Sequence, residues 1–292
     1  LAAAVLGSVT AFADGEPVGT AKQDEVLTED TTDGWVENTY TDKQGITYEL
    51  KDNTITVTDG SKAKGEIIIP ATIEKGGISY PVTSVGDIAF ENCGALESVT
   101  FSGDVGSIGN TAFENCWQLV SVTFSGDVGG IGLGAFVNCT ALKNVTFPGN
   151  VGSIGDSAFG FCDALENVTF SGNVGSIRDY AFVNCTALET VTFSGNVDSI
   201  WNHAFYRCHA LENVTFSGNV GSIGDLAFQH CTALTTIYVP ASTTEDTIDM
   251  IRKALEIGGL KDVQIERREP EQPSDPATDP STPSVPSTGT TG

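Results

Sequence analysis

The 292-residue chain carries 38 acidic against 14 basic side chains, a formal charge of −24. That balance lacks the clustered Lys and Arg needed to grip a phosphate backbone or an anionic bilayer, so nucleic acid and lipid surfaces are excluded as expected partners. By length alone one or two domains are possible, but roughly 60 residues are compositionally unsuited to folding, which leaves one core.

Residues 1–13, LAAAVLGSVTAFA, form an apolar run ending in Ala11-Phe12-Ala13. The small-x-small end is the form signal peptidase accepts, so this stretch predicts a partial signal peptide and an exported chain that begins at Asp14. The run is shorter than the roughly 20 residues a spanning helix needs, and no membrane insertion is expected beyond it. Residues 14–38 hold eight acids and a single basic residue, Lys22, a composition that predicts a disordered leader.

An N-terminal β cap is expected over 39–83. Within it, Ile46, Tyr48 and Leu50 alternate, Asp52-Asn53 supplies a turn, and Ile55, Val57, Ile67 and Ile69 continue the strands. Residues 84–240 are a repeat array, and 241–268 read as a C-terminal cap. There Thr244 precedes a helical pattern through Ile248, Ile251 and Leu255, Gly258-Gly259 stops it, and Val263 to Ile265 offers a last strand. From 269 to 292 six prolines stand among Ser, Thr, Asp and Gly, a linker composition. Val285 to Gly289 reads VPSTG, which is taken as linker rather than a sorting signal.

The array is defined by a 23-residue step. All seven cysteines, Cys93, Cys116, Cys139, Cys162, Cys185, Cys208 and Cys231, keep it. So do Phe90 through Phe228 and Leu96 through Leu234, which predicts that every unit adds the same side chains to one continuous core. In Leu165 to Phe170 the first, fourth and sixth residues are apolar and the rest polar, the pattern of a strand with one buried face. Gly103, Gly126, Gly149, Gly172, Gly195 and Gly218 are each followed by Asp or Asn, which predicts a tight turn at positive φ. A second apolar pair follows, such as Val174 and Ile177. Ahead of each Ala-Phe stands Asp87, Asn110, Asp156, Asp179, Asn202 or Asp225, with Leu133 the exception. These are helix N-cap residues, so a helical turn is expected there. The fold class is therefore an α/β repeat solenoid: a right-handed array with a parallel β-sheet on one face and short helical turns on the other, a β-hairpin N-cap and a helix/strand C-cap.

The combination L-x-x-V-x-F, S-I-G and A-F-x-x-C in one 23-residue unit resembles the BspA-like bacterial surface leucine-rich repeats. The resemblance covers about Ser84 to Val239, with GITYEL and ISYPVTSVGDIAF similar to the usual entry into such arrays. The usual Pro-x-x-Val after the main strand is replaced by Ser-Gly-Asn-Val or Ser-Gly-Asp-Val, and Pro148 is the one proline at the Ser position. The resemblance implies an extracellular or cell-surface place and roles in adhesion or protein–protein contact, with no catalytic residue to carry over.

Chemistry is sparse. The odd, single-column cysteines predict buried free thiols, against a competing reading of cross-links between adjacent units. No C-x-x-C occurs and the three histidines fall irregularly, so no metal and no cofactor is expected. The Ser columns give no unique nucleophile beside a base. Glu166, Glu189 and Glu212 read as a solvated ladder rather than an acid–base set. The chain is read as no enzyme.

Two surfaces remain. One is the strand face, where Thr100, Thr123, Thr146, Thr169, Thr192 and Thr215 form a column ended by Tyr238, with Ser102, Ser125, Ser171, Ser194 and Ser217 beside it. It supports the alternative of a glycan- or ice-binding face. The other is where units stop being alike. Arg178 and Trp201 replace a Gly, Tyr180 and His203 share a column two residues on, and Tyr206, Arg207, His209 and His230 follow. Aromatic and Arg side chains anchor interfaces, so this set is the candidate partner-binding patch, with an extracellular protein as the expected partner. A third reading is a targeting module of a larger surface enzyme.

Overall fold

A computed structural model describes residues 34–269. The signal peptide expected over 1–13, most of the acidic leader and the Pro-rich stretch from 270 lie outside the described residues. The remainder is a β-solenoid in which each 23-residue rung contributes two short parallel strands, one to each of two sheets.

The first strand of a rung is the Val-x-Phe segment, as in Asn144–Phe147, Asn167–Phe170 and Thr190–Phe193. Val and Phe point inward and are buried, while the residues before and between them face outward, because successive strand side chains alternate. Rungs pair without slippage: Val145 lies opposite Val168 and Phe147 opposite Phe170, then Val168 opposite Val191. The resulting nine-stranded sheet runs from Gly65–Ile69 at one end to Gln264–Arg268 at the other.

The second strand is the Val-x-x-Ile pair, as in Val151–Ile154 and Val174–Ile177, again in register rung to rung. These build the larger sheet, which the N-terminal strands extend. Between the sheets sit two unbroken Phe ladders. One runs from Phe90 through Phe113 and Phe136 to Phe228, and Phe136 and Phe159 are 5.1 Å apart and 5° from parallel. The other runs from Phe101 to Phe216, with Phe147 and Phe170 separated by 5.0 Å. Each stacked pair adds about 0.5–1.5 kcal/mol beyond burial.

The cysteine column is buried and its thiols are free. From Cys116 onward each Sγ donates to the carbonyl of the Phe one rung earlier, as Cys162 does to Phe136 at 3.3 Å and Cys208 to Phe182 at 3.1 Å, while Cys93 donates to Gly60 O. Burial and the neighbouring thiols push Cys139, Cys162 and Cys208 well above the ordinary thiol range.

Three expectations fail. The segment through Ala-Phe is not a helical turn in any rung. Its amides alternate between tight turns within the rung, as Cys116 N–H to Phe113 O, and bonds to the next rung, as Phe113 N–H to Ala135 O at 2.7 Å. Two residues per rung, and His230 alone in the last, also take positive φ, for example Thr111 at 48° and Asn115 at 60°, and a right-handed helix cannot include them. Two of the expected N-cap side chains instead serve the neighbouring rung: Asp87 accepts the Asn110 N–H at 2.6 Å, and Asn110 accepts that of Leu133 at 2.9 Å.

The Gly-Asx turn also has a different cause. None of Gly103, Gly126, Gly149, Gly172, Gly195 and Gly218 has positive φ. Rungs approach too closely there for a side chain, since a Cβ on Gly172 would stand 2.5 Å from the Gly149 carbonyl carbon. The Asx that follows is an inter-rung acceptor. Asn150, Asn173 and Asn196 each take the backbone N–H of the Asx one rung later, at 2.9–3.0 Å.

At the N-terminal end Thr47–Lys51 and Thr54–Asp59 pair antiparallel around Asp52 and Asn53, both at positive φ. Ile67 and Ile69 do not continue that hairpin; their strand starts the other sheet beside Leu96–Phe101. The outer edge of that strand is closed by one side chain, because Gln44 both accepts from Ile68 N–H at 2.8 Å and donates to Ile68 O at 3.0 Å. At the other end helix α1 (Glu245–Ile257), with Thr244 accepting the Thr247 N–H, buries Ile248, Ile251, Ala254 and Leu255. It packs on Val220–Ile223, the last strand of the larger sheet.

Candidate functional site

The turn segment between Ile and Cys presents side chains that the sheets do not use. Two of its columns hold left-handed backbone. The column just before Cys reads Asn92, Asn115, Asn138, Phe161, Asn184, Arg207 and His230, with φ between 55° and 66°. The column four residues earlier includes Tyr180 at 60° and His203 at 59°. Asn and Gly enter this region readily, whereas other L residues pay roughly 1–2 kcal/mol. Asn is what the first three rungs use, and Asn92, Asn115 and Asn138 form an amide ladder with steps of 3.0 Å. Phe161 breaks that ladder and stands 44 % exposed.

From there the columns carry rings. Tyr180 and His203 stack at 4.8 Å and 3°. Tyr206 lies edge-on to Tyr180 at 6.1 Å, to His203 at 5.5 Å and to His230 at 5.3 Å, so it is the hub of the group. The Arg207 guanidinium lies 5.2 Å from the Tyr206 ring. One corner further round, the Arg178 guanidinium covers Trp201 at 5.3 Å, and the indole N–H donates to Ser199 Oγ at 3.3 Å. Tyr180 is 39 % exposed and Trp201 43 %. Arg178, Arg207 and His230 are exposed as well.

Trp201 occupies a tight column. A Cβ at Gly109 or Gly132, one and two rungs from the N-terminal end, would stand 2.4 Å and 2.7 Å from the preceding rung's backbone. At Trp201 the inter-rung bond seen from Asp87 to Asn110 is missing, and Asp179 Oδ1 is buried without a hydrogen bond among the described residues.

Seven of the eight residues singled out in the sequence thus form two contiguous groups, one around Tyr206 and one around Trp201. The eighth, His209, does not join. It follows Cys208 and shares the column of Trp117, and no ring contact ties it to the others among the described residues. The sequence reading missed Phe161 and Ser199. Phe161 was visible as the first non-Asn residue in its column; Ser199 sits in a column of repeated Ser and carries no distinguishing signal.

The sequence pattern of the BspA type leucine rich repeat region matches 71–188 and 130–250, with six copies. This chain belongs to the BspA-type leucine-rich-repeat family. No curated protein matches it. Among solved structures, the T. pallidum leucine-rich repeat protein is 23 % identical with a TM-score of 0.56, over 79 % of this chain and 99 % of that one. That likeness concerns the fold. A leucine-rich repeat protein from Bacteroides capillosus is 34 % identical over 47 % of this chain and all of its own, with a TM-score of 0.41. A leucine rich cell surface protein from Faecalibacterium prausnitzii is 20 % identical over 74 % of this chain and 97 % of its own, with a TM-score of 0.33. Within this BspA-type array, no helix of the described residues is long and apolar enough to cross a membrane. The ring-bearing columns are where this BspA-type chain departs from its own repeat.

Proposed function

We propose that the chain is a secreted, surface-displayed recognition module that adheres to an extracellular protein through the turn-face cluster of Arg178, Tyr180, Trp201, His203, Tyr206, Arg207 and His230. Family membership supports a protein-contact scaffold. The observation that carries the choice of surface is the replacement of Asn by Arg207 and His230 at left-handed positions, beside Tyr180 and His203, where their rings and guanidinium group converge in solvent. Such replacements disfavour the fold locally, and costs of that kind collect at functional sites.

Aromatic rings give contact area at low entropic cost, and together with Arg they are enriched among the residues that dominate interface energetics. The rungs beneath hold them rigidly, so little ordering remains to be done on binding. Trp201→Ala with Tyr206→Ala is the test: affinity for a captured extracellular protein falls by at least about tenfold while the melting temperature holds. Equal affinity in the double variant removes the cluster from the reading.

A further inference from the structure

The nine-stranded sheet carries a second concavity, lined by none of the aromatic-cluster residues. We propose that it is a binding cleft for a carboxylated saccharide, formed where the outward Thr/Ser columns of the nine-stranded sheet end. The cavity measures about 460 Å3, and its lining includes Thr192, Ser194, Thr215, Ser217, Tyr238 and Arg268. Ligand clefts fall in the range of about 300–1,000 Å3.

The cleft follows from strand register. Thr192 lies beside Thr215, Thr215 beside Tyr238 and Tyr238 beside Glu266, so one column runs Thr, Thr, Tyr, Glu. The column two residues on runs Ser194, Ser217, Pro240 and Arg268, because Gln264–Arg268 adds a last parallel strand with Arg268 opposite Pro240. Elsewhere these two columns carry Thr and Ser, apart from Ile68 beside Thr100 and Pro148 in the Ser column. At this end they carry Tyr238 and Arg268.

Three properties of the lining select the ligand. The hydroxyls of Thr192, Ser194, Thr215 and Ser217 make no hydrogen bond within the described residues, so donors and acceptors converge on the cleft unspent. Arg268 is pinned over the Tyr238 ring at 3.1 Å from its centroid. It takes part in none of the ion pairs of the described residues, which join Arg252, Lys253 and Arg267 to acids. A fixed, unpaired guanidinium at the end of a hydroxyl ladder is built to receive a planar carboxylate through two parallel N–H bonds. The rungs repeat at about 4.8 Å, close to the length of one pyranose residue, so successive sugars meet successive Thr/Ser pairs. Glu269 also lines the cleft.

The test is titration calorimetry of the chain with trigalacturonate, a hyaluronan tetrasaccharide and 3′-sialyllactose, with cellotriose as the neutral control. At least one carboxylated glycan binds, more tightly than cellotriose. Arg268→Ala lowers that affinity by about tenfold or more, and so does Thr215→Val with Ser217→Ala, while the Trp201→Ala, Tyr206→Ala variant binds the glycan as the parent does. Melting curves of each variant exclude unfolding as the cause. Absence of binding to all three carboxylated glycans, preference for cellotriose, or equal binding by Arg268→Ala overturns the proposal and leaves the protein-recognition reading untouched.

Discussion

Tyr180 and His203 lie ring on ring, 4.8 Å apart and 3° from parallel, on residues that both hold left-handed backbone, at 60° and 59°. The stack is one rung step long, so it repeats outside the core the geometry of the Phe ladders inside it. Double-mutant analysis with Tyr180→Ala and His203→Ala should give a coupling of about 0.5–1 kcal/mol in unfolding free energy. Additive losses would show that the rings do not hold each other in solution.

Phe161 has no comparable compensation. It occupies a position at φ 59° where Asn138 and Asn184 stand in the flanking rungs, and 44 % of its surface is exposed. Phe161→Asn should therefore raise stability by roughly 0.5–1.5 kcal/mol, by relieving the backbone and extending the amide ladder. The shift of the urea midpoint measures it, and a fall instead would mean that the ring makes a stabilising contact.

Gly172→Ala should behave opposite to an ordinary Gly→Ala change at negative φ. There Ala stabilises, but here the new Cβ meets the Gly149 carbonyl at 2.5 Å. The rungs must separate, at a cost of roughly 1–3 kcal/mol. Gly130→Ala is the control, since its Cβ would meet only Ser153 Oγ at 3.3 Å. Equal effects of the two substitutions would refute close rung approach as the reason for the glycine column.

The thiol column makes stability depend on alkali. Burial pushes Cys93 up to about 12 and Cys139, Cys162 and Cys208 well above their ordinary value of 9.0. The folded chain keeps these thiols protonated, so their contribution is complete below the unfolded thiol's pKa. As pH rises beyond it toward the folded values, each such thiol removes roughly 1.4 kcal/mol per pH unit. Urea unfolding at pH 8, 9.5 and 11 should show a steep loss above 9, shallower in Cys162→Ala. A flat profile would mean that the thiols are accessible.

The repeat made the core legible. Once Val, Phe, Leu and Cys recur every 23 residues, stacking in register is the arrangement that buries all four columns together, and Val145 opposite Val168 follows. What misled was local propensity. Asp87 and Asn110 look like helix caps in isolation, yet in a stack the nearest unpaired N–H belongs to the next rung. Gly172 looks like a positive-φ turn, yet its constraint is a neighbour 23 residues away. The patch was legible as a break in columns. That Tyr206 is its hub, and that His209 falls outside it, depended on which way each turn residue points.

The central claim is that side chains on the turn face were taken on for contact, against the preference of the backbone beneath them. Changing Phe161, Tyr180, His203 and Arg207 together to Asn and measuring both the urea midpoint and the affinity for the captured partner tests it in one variant. The account predicts a chain at least as stable as the parent that has lost about tenfold or more in affinity. A variant that still binds as the parent does, or one that unfolds more easily, would contradict it.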